Sequence, residues 1–500
     1  MLPGIFIQAL TVLLPLRTAA YTLNDDTFDP RTATTKDIHH TLFTNQTTCR
    51  GIISSFLARI EAFNPVINAI ISLNPDSLSV ADHLDAVLSS SSNITSLTTS
   101  FPLFCVPVLL KDNFDFVPLP TTAGSRALAL NFPSEDAPSV QALSSAGAVI
   151  LGKTNMHDMA LEGLTVSSFA GQTRNPYDLS RTPGGSSGGS GAAVAAGFAV
   201  LAMGTDTMNS VRSPASAGGL VGVRPSRGAV SRRGVVPVSW RQDAVGIMGR
   251  SVEDVGVGLR TLMGVGVDPQ DNATWEVPGK VWERDSGREI EREGKRGVRG
   301  RRFGLLTEGY FNFTTSAETD PVNGAMRNMV SKLTAAGAAV INISDPLLNP
   351  ISLKSLDVQI FEYPPMLTSY LSLTASHNPP GSVPPSFRAL YTQARPNRAF
   401  LVLPAQSSFL HAALKSSPSS EEYHSRLQGI SRLREHLLSV FKAHDLDALI
   451  YPEQQNLVVP IGSPNQYGRN GLLAALTGFP VVCVPVGFSP PTDLAPAEPL

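Results

Sequence analysis

The stretch Pro183-Gly-Gly-Ser-Ser-Gly-Gly-Ser-Gly-Ala192 is the most unusual part of this 500-residue chain, since its ten residues include five glycines and three serines. Glycine reaches backbone conformations that other residues avoid and lets the backbone approach a ligand closely. The run that follows, from Ala192 to Ala202, is small and apolar and predicts a tightly packed helix, and the next turn carries Ser210. Because apolar helix-forming sequence bounds the stretch, a built site is favoured over a flexible Gly/Ser linker.

The same region resembles the amidase signature family. Its members share Gly-Gly-Ser-Ser-Gly-Gly-Ser, a helix, and then Asp-Thr-Gly-Gly-Ser-Ile-Arg. This chain has the first motif and continues with Asp206-Thr-Met-Asn-Ser-Val-Arg212. The resemblance extends through Gly222–Pro237 and Arg250–Asp254. The chain departs from the pattern at Met208-Asn209, which stands where the family usually has two glycines. With the N-terminus described below, the chain looks most similar to a secreted amidase of the fungal type.

The resemblance implies an α/β fold in which one amidase domain, residues 21–500, has a mixed central β-sheet surrounded by α-helices. The pattern of the chain supports this class, because predicted strands alternate with predicted helices. The apolar runs 104–110, 148–151 and 303–306 predict strands, and the segment 89–100 predicts a loop. The sequence stops at Leu500. Family members usually continue with a further strand and helix, so these two elements are predicted to be missing.

Charge and cysteine content limit the kinds of partner. The chain has 39 basic and 41 acidic residues, which gives no electrostatic reason to expect nucleic acid or an anionic membrane as a partner. Three cysteines, Cys49, Cys105 and Cys483, are too few for a disulfide scaffold or a cysteine zinc site. They allow one disulfide and one leftover thiol. No metal or cofactor is expected, the predicted partner is a small amide substrate, and the sequence leaves the oligomeric state open.

The N-terminus has the pattern of a secretory signal. Residues 1–16 are apolar and uncharged and are too short to span a bilayer as a helix, while Thr18 and Ala20 occupy the small-residue cleavage positions. We therefore predict a signal peptide over residues 1–20 and a secreted protein. Asn-x-Ser/Thr sites occur at five positions, which is compatible with a secreted glycoprotein: Asn45, Asn93, Asn272, Asn312 and Asn342.

The candidate general base is Lys111, which follows the apolar run 104–110 in Lys111-Asp-Asn113. A lysine at the end of a strand ordinarily points to water, but the family carries its catalytic lysine in a matching motif. The unperturbed pKa of lysine is about 10.4, so an exposed lysine is protonated at pH 7. Burial disfavours the charged form and lowers the pKa by up to about 3–5 units. The assignment of Lys111 therefore requires that it be buried.

The other candidate catalytic residues are two serines. Position by position, the resemblance makes Ser210 the nucleophile and Ser186 the bridging serine, which follows a cis peptide bond and relays a proton between Ser210 and Lys111. The predicted oxyanion hole consists of backbone N–H groups of the turn Thr207, Met208, Asn209, Ser210. Backbone donors do not depend on side-chain identity, so the loss of two glycines need not abolish the hole. Were one of these positions to require a positive φ, Asn209 would tolerate it better than Met208.

Three other functions fit parts of the sequence. Gly184-Gly-Ser186-Ser-Gly188 fits the nucleophile elbow of an α/β-hydrolase, with Ser186 as the nucleophile and a histidine such as His436 or His444, but the elbow needs a preceding strand. A catalytically impaired amidase-like binding protein is suggested by Met208-Asn209 and the short C-terminus. The amidase subunit of a tRNA-dependent amidotransferase fits poorly with a secretory N-terminus. The main prediction is an amidase that cleaves carboxylic amides to an acid plus an amine or ammonia.

Overall fold

The computed structural model describes residues 28–279, 294, 296–393 and 403–489. The predicted signal sequence, part of the charged segment 270–302 and the end of the chain lie outside the described residues. The central feature is a seven-stranded sheet in the order β1-β3-β2-β6-β8-β7-β12. Its strands are β1 Ile70–Leu73, β2 Pro107–Lys111, β3 Val149–Thr154, β6 Leu201–Asp206, β7 Val221–Arg224, β8 Ala244–Gly249 and β12 Val481–Cys483.

The central sheet is mixed, as the resemblance implies. Strand β2 runs parallel to both β3 and β6, whereas β6 and β7 each run antiparallel to β8. All residues of β2, β3, β6 and β8 are buried. Helices cover both faces of the sheet, so side chains on both sides of these strands are buried. For this reason the strand sequences are almost continuously apolar and do not alternate between apolar and polar residues.

Two smaller sheets accompany the central one. The first is a parallel sheet in the order β10-β9-β11, formed by β9 Arg302–Leu306, β10 Ala339–Ile343 and β11 Ala448–Ile450. The second pairs β4 Val166–Ser167 with β5 Gly171–Gln172. The strands predicted near residues 104–110, 148–151 and 303–306 are confirmed, with shifts of a few residues at their ends.

The helices surround the sheets. The helices before residue 280 are α1 Thr35–Phe43, α2 Cys49–Ile67, α3 Ser77–Ser90, α4 Ile94–Ser100, α5 Pro138–Ser145, α6 Gly188–Ala195, α7 Arg212–Ala217 and α8 Val252–Met263. Those after residue 295 are α9 Asp320–Ala335, α10 Pro350–Leu353, α11 Gln359–Ala375, α12 Pro404–Ala413, α13 Glu421–His444 and α14 Leu472–Thr477. In the described part of the chain, no helix combines the length and the apolar character needed to cross a membrane.

Two predictions of secondary structure are wrong. The helix expected over Ala192–Ala202 starts at Gly188 and ends at Ala195, since Gly197 adopts φ +69° and packs so closely that an added Cβ would lie 2.9 Å from Arg31 Cα. A glycine in the left-handed region ends a helix, and the remaining apolar residues enter β6. The loop expected over residues 89–100 contains α4, which begins because Asn93 accepts a hydrogen bond from the Ser96 N–H.

The three cysteines form one disulfide and leave one free thiol, a combination that the sequence allows. Cys49, at the start of α2, forms a disulfide with Cys105, which immediately precedes the residues leading into β2. Cys483 in β12 carries the leftover thiol.

Candidate active site

Lys111 is the last residue of β2, and its side chain is fully buried. Its Nζ donates a hydrogen bond to Ser186 Oγ at 2.8 Å and another to Thr205 Oγ1 at 2.7 Å. The burial that the sequence assignment required is therefore present, and the amine points at the predicted relay residue and not at solvent.

Ser186 lies in the glycine-rich loop before α6, and the Gly185–Ser186 peptide bond is cis, as the resemblance implies. Gly184 adopts φ +73°, and an added Cβ would lie 2.8 Å from Ser213 Oγ, so only glycine fits there. The Ser186 carbonyl accepts a hydrogen bond from the His157 N–H at 3.0 Å. The glycines beside Ser186 therefore allow the backbone of this loop to lie close to neighbouring segments of the chain.

Ser210 follows β6 in the turn that connects the strand to α7. Its carbonyl accepts a hydrogen bond from the Ser187 N–H at 3.1 Å, so the loop of Ser186 and the turn of Ser210 are directly linked. Ser210 is 7% exposed, whereas Ser186 is fully buried. Lys111 is hydrogen-bonded to Ser186. Among the described residues, the hydroxyl groups of Ser186 and Ser210 are not hydrogen-bonded to each other.

A buried ion-pair cluster fixes the turn. Arg212 donates to Asp206 through Nε at 3.1 Å and Nη2 at 3.0 Å. Arg224, which the sequence reasoning did not assign, donates to the same carboxylate at 3.0 Å. Although burial opposes ionisation of Asp206, the two guanidinium groups hold its pKa below the usual range. Because all three side chains are fully buried, the strand end and the first turn of α7 are locked together.

The surroundings of Lys111 favour its neutral form. Burial lowers its pKa from 10.5 to about 7, although the carboxylates of Asp206 and Asp243 oppose this shift. Asp206 is itself compensated by two arginines, which limits its pull on the Lys111 proton. A substantial fraction of Lys111 is therefore an uncharged amine at neutral pH, as a general base requires.

The turn Thr207–Ser210 has the donors expected of an oxyanion site. None of its four backbone N–H groups donates a hydrogen bond to another described residue. Backbone N–H groups without a described protein partner are available to a negatively charged group, so the turn can supply the donors that the predicted oxyanion hole requires. Neither Met208 nor Asn209 has a positive φ, so this turn does not need glycine for conformational reasons.

Thr205 is a site residue that the sequence reasoning missed. Its Oγ1 accepts hydrogen bonds from Lys111 Nζ and, at 3.0 Å, from Asn113 Nδ2. Thr205 therefore holds the amine beside Ser186. Thr205 directly precedes Asp206 at the end of β6, the strand beside β2. This position could have indicated from the sequence that its side chain lies near Lys111.

A cavity of about 580 Å³ adjoins this turn. Thr205 and Thr207 form one part of its wall, and the rest is mainly apolar, including Val236, Trp240 and Met366. Of the candidate site residues, Thr207 of the predicted oxyanion turn lines this cavity, whereas Lys111, Ser186 and Ser210 do not. A second cavity of about 680 Å³ lies between α5, α8 and the segment 264–269, and none of the candidate site residues lines it. The first cavity is therefore the candidate substrate site.

The nucleophile-elbow alternative lacks its structural requirement. The residues between β5 and Ser186 contain no strand in this described segment, and Ser186 follows a loop. The Nε2 atom of His436 lies 2.6 Å from Asp345 Oδ2, and His436 has no described contact with Ser186. Among the described residues, no group of three or more His, Cys, Asp or Glu side chains could hold a metal ion.

The family model described as Amidase matches residues 51–498. The chain belongs to the amidase signature family. The chain has 31% sequence identity to the solved native peptide amidase from Stenotrophomonas maltophilia, with a TM-score of 0.81 and coverage of 94% of this chain and 93% of that one. The agreement in fold confirms a single α/β amidase domain with a mixed central sheet surrounded by helices.

Curated relatives of this chain include A subunits of glutamyl-tRNA(Gln) amidotransferases. It is 35% identical over 315 residues to the family member in the amidotransferase of Bdellovibrio bacteriovorus, covering 63% of this chain and 60% of that protein. It is 31% identical over 467 residues to the corresponding protein of Maridesulfovibrio salexigens, covering 92% and 91%. The chain thus spans about 60% of the first relative's length. These relatives support the family, whereas the resemblance to a secreted amidase of the fungal type stays a prediction.

Proposed function

We propose that this chain is an amidohydrolase that cleaves carboxylic amides to an acid plus an amine or ammonia. The observation that carries the proposal is the buried Lys111–Ser186 hydrogen bond, joined to Ser210 through the Ser187 N–H. Ser210 is the nucleophile, Ser186 the relay and Lys111 the base. The proposed reaction needs no metal or cofactor.

The proposed reaction has two halves. Neutral Lys111 takes the Ser186 proton as Ser186 takes the Ser210 proton, and Ser210 Oγ attacks the amide carbon. The N–H groups of the turn Thr207–Ser210 stabilise the oxyanion, and the relay returns the proton to the leaving nitrogen. Water then attacks the acyl-enzyme by the same route and releases the acid. Esters, whose leaving group needs less protonation, are expected to react as well.

The candidate substrate cavity favours amides with an uncharged apolar group. A buried cation in its wall, Arg232, is paired with Asp271 at 2.6 Å and stacks on the Trp240 ring at 4.6 Å. Arg233 also lines the cavity and is paired with Glu135 and Asp268, so the two arginines leave no surplus positive charge to bind a carboxylate. A volume of about 580 Å³ accommodates a group of roughly drug-sized dimensions.

The proposal is tested with a panel of primary amides that differ in the charge and size of the acyl group, measuring released ammonia and acid. We expect kcat/KM to be highest for neutral aromatic or branched acyl groups, and lower for acyl groups that carry a second carboxylate. A chain that hydrolyses none of the amides or esters would contradict the proposal. A preference for the charged acyl groups would contradict the cavity assignment only.

Two alternatives predict different outcomes. A binding protein that no longer turns over would not be labelled by a fluorophosphonate, which requires an activated serine. A role within an amidotransferase is favoured by the similarity that covers 91% of the Maridesulfovibrio salexigens protein. The isolated chain would then hydrolyse amides poorly and would need partner proteins for full activity. Labelling and turnover by the isolated chain together support the amidohydrolase.

We also propose that the protein passes through the secretory pathway. The Cys49–Cys105 disulfide supports this, because disulfides persist mainly in oxidising compartments. Four of the five glycosylation sites are exposed, and Asn312 is half-buried. We expect protein produced in a eukaryotic host to appear in the medium, to begin near Tyr21 and to lose mass on deglycosylation. N-terminal sequencing that finds Met1 on cytosolic protein would contradict this.

A further inference from the structure

A buried carboxylate lies behind the candidate oxyanion turn. Glu453 follows β11, its side chain is 7% exposed, and its Oε2 lies 3.9 Å from Arg212 Nη1. Neither Glu453 Oε1 nor Arg212 Nη1 has a hydrogen-bond partner among the described residues. A buried acid without full pairing is costly, which gives a reason to ask what Glu453 does.

Asn209, one of the two residues that replace glycine, points into this same interior. It is 1% exposed, and its side-chain amide lies close enough to Glu453 to favour the carboxylate, although neither amide atom has full hydrogen-bond geometry with a described residue. Asn209 packs against Gly471, where an added Cβ would lie 2.4 Å from Asn209 Cβ and 2.3 Å from the Met208 carbonyl oxygen. The absence of a side chain at position 471 is therefore what makes room for Asn209.

Charged and polar groups connect Glu453 to the turn. Burial raises the pKa of Glu453 to about 7, while Arg212 and the Asn209 amide oppose the shift by favouring the carboxylate. The Arg212 Nη2 group donates to the carbonyl oxygens of Met208 and, at 3.0 Å, Gly471. Asn209 precedes Ser210 in the chain and Arg212 follows it. The side chains of both residues lie near Glu453.

We propose that Glu453 is a positioning residue that acts through Asn209 and Arg212 to hold the turn Thr207–Ser210 in its reactive shape. A turn with two glycines is free to take this shape by backbone contacts alone. Here the Asn209 side chain is buried beside Glu453. The orientation of the turn's backbone N–H groups therefore depends on the groups that surround this side chain. This inference rests on the proposed function of the turn.

The test compares Glu453→Ala, Glu453→Gln, Asn209→Gly and the double variant Asn209→Gly/Glu453→Ala. A misaligned oxyanion donor costs up to about 10²–10³ in rate, so we expect Glu453→Ala to lower kcat by about tenfold or more with little change in KM. Glu453→Gln retains the shape and a hydrogen-bonding oxygen and should recover most of kcat. In the Asn209→Gly background, Glu453→Ala should cost clearly less than it does alone, because the side chain through which Glu453 is proposed to act is then absent.

Rates are normalised to active sites titrated with a fluorophosphonate, which separates positioning from loss of folded protein. Glu318→Gln is the matched control, because Glu318 pairs with Arg181 at 2.8 Å and has no described contact with the turn. An unchanged kcat in Glu453→Ala, or effects of the two substitutions that simply multiply, would overturn the proposal. If Glu453→Ala does not fold, Glu453→Met, which keeps a similar side-chain volume but lacks the carboxylate, replaces it, and an unchanged kcat in that variant would overturn the proposal. Failure of the proposed nucleophile would instead appear as full activity in Ser210→Ala.

Discussion

Replacing Ser210 with alanine should abolish amide hydrolysis and labelling by a fluorophosphonate. The substitution removes the acyl acceptor but leaves the ion pairs of Asp206 and the backbone of the turn in place. Removing the nucleophile from a catalytic unit costs several orders of magnitude, and we expect a loss of about 10⁴-fold or more in kcat. Ammonia release and probe labelling, followed by mass spectrometry of the labelled peptide, measure both effects.

Ser186→Ala is expected to behave differently. It removes the proton relay but keeps Ser210 and the oxyanion donors, so turnover should fall by about 10²–10⁴-fold while slow labelling of Ser210 persists. Ser190→Ala is the matched control in the same stretch, because the Ser190 hydroxyl contacts Thr154 Oγ1 at 2.7 Å and the Met203 carbonyl at 2.8 Å but not Lys111. We expect Ser190→Ala to be less stable, by about 1 kcal/mol, with nearly normal kcat per active site.

The peptide that carries the adduct separates this assignment from its rival. An adduct on the peptide with Ser210 agrees with the proposed roles. An adduct on the peptide with Ser186, together with an active Ser210→Ala variant, would contradict them and would make Ser186 the nucleophile.

The parts of the molecule that could be predicted from the sequence are those fixed by short motifs. The glycine pattern around Ser186 anticipated a tight loop, because its glycines leave no room for a Cβ against neighbouring backbone. The apolar run before Lys111 anticipated a buried strand that ends at the lysine. The end of α6 could not be placed, because the alanine-rich run continues past Gly197 and the close packing of that glycine against Arg31 is a tertiary contact.

Contacts between residues far apart in the sequence could not be predicted from short motifs. Asp206 and Arg212 are only six residues apart, but Arg224 joins their ion pair from β7, and its local sequence gives no sign of this contact. Glu453 reaches the turn from a segment more than 200 residues beyond Ser210. Nothing in its local pattern distinguishes it from a surface glutamate, since its burial depends on how β11 and the residues before α14 pack against the turn.

The second large effect concerns the pH dependence given by Lys111. Only the neutral amine can accept a proton, and burial lowers the pKa of Lys111 to about 7. Wild-type kcat/KM should therefore rise with pH through about 7 and then level off, since Lys111 is protonated below this value and neutral above it. The wild-type profile alone does not identify the group, because burial also raises the pKa of Glu453 to about 7.

Lys111→Ala distinguishes the two groups. Without the amine, hydroxide must take the proton, so kcat/KM should fall by about 10²–10⁴-fold at pH 7 and log kcat/KM should then climb with a slope near one across the range where the wild type is level. Because Lys111 and Ser186 act as one relay, Lys111→Ala/Ser186→Ala should be little worse than the poorer single variant. A variant that keeps the wild-type inflection near pH 7, with only a lower plateau, would show that another group is the base.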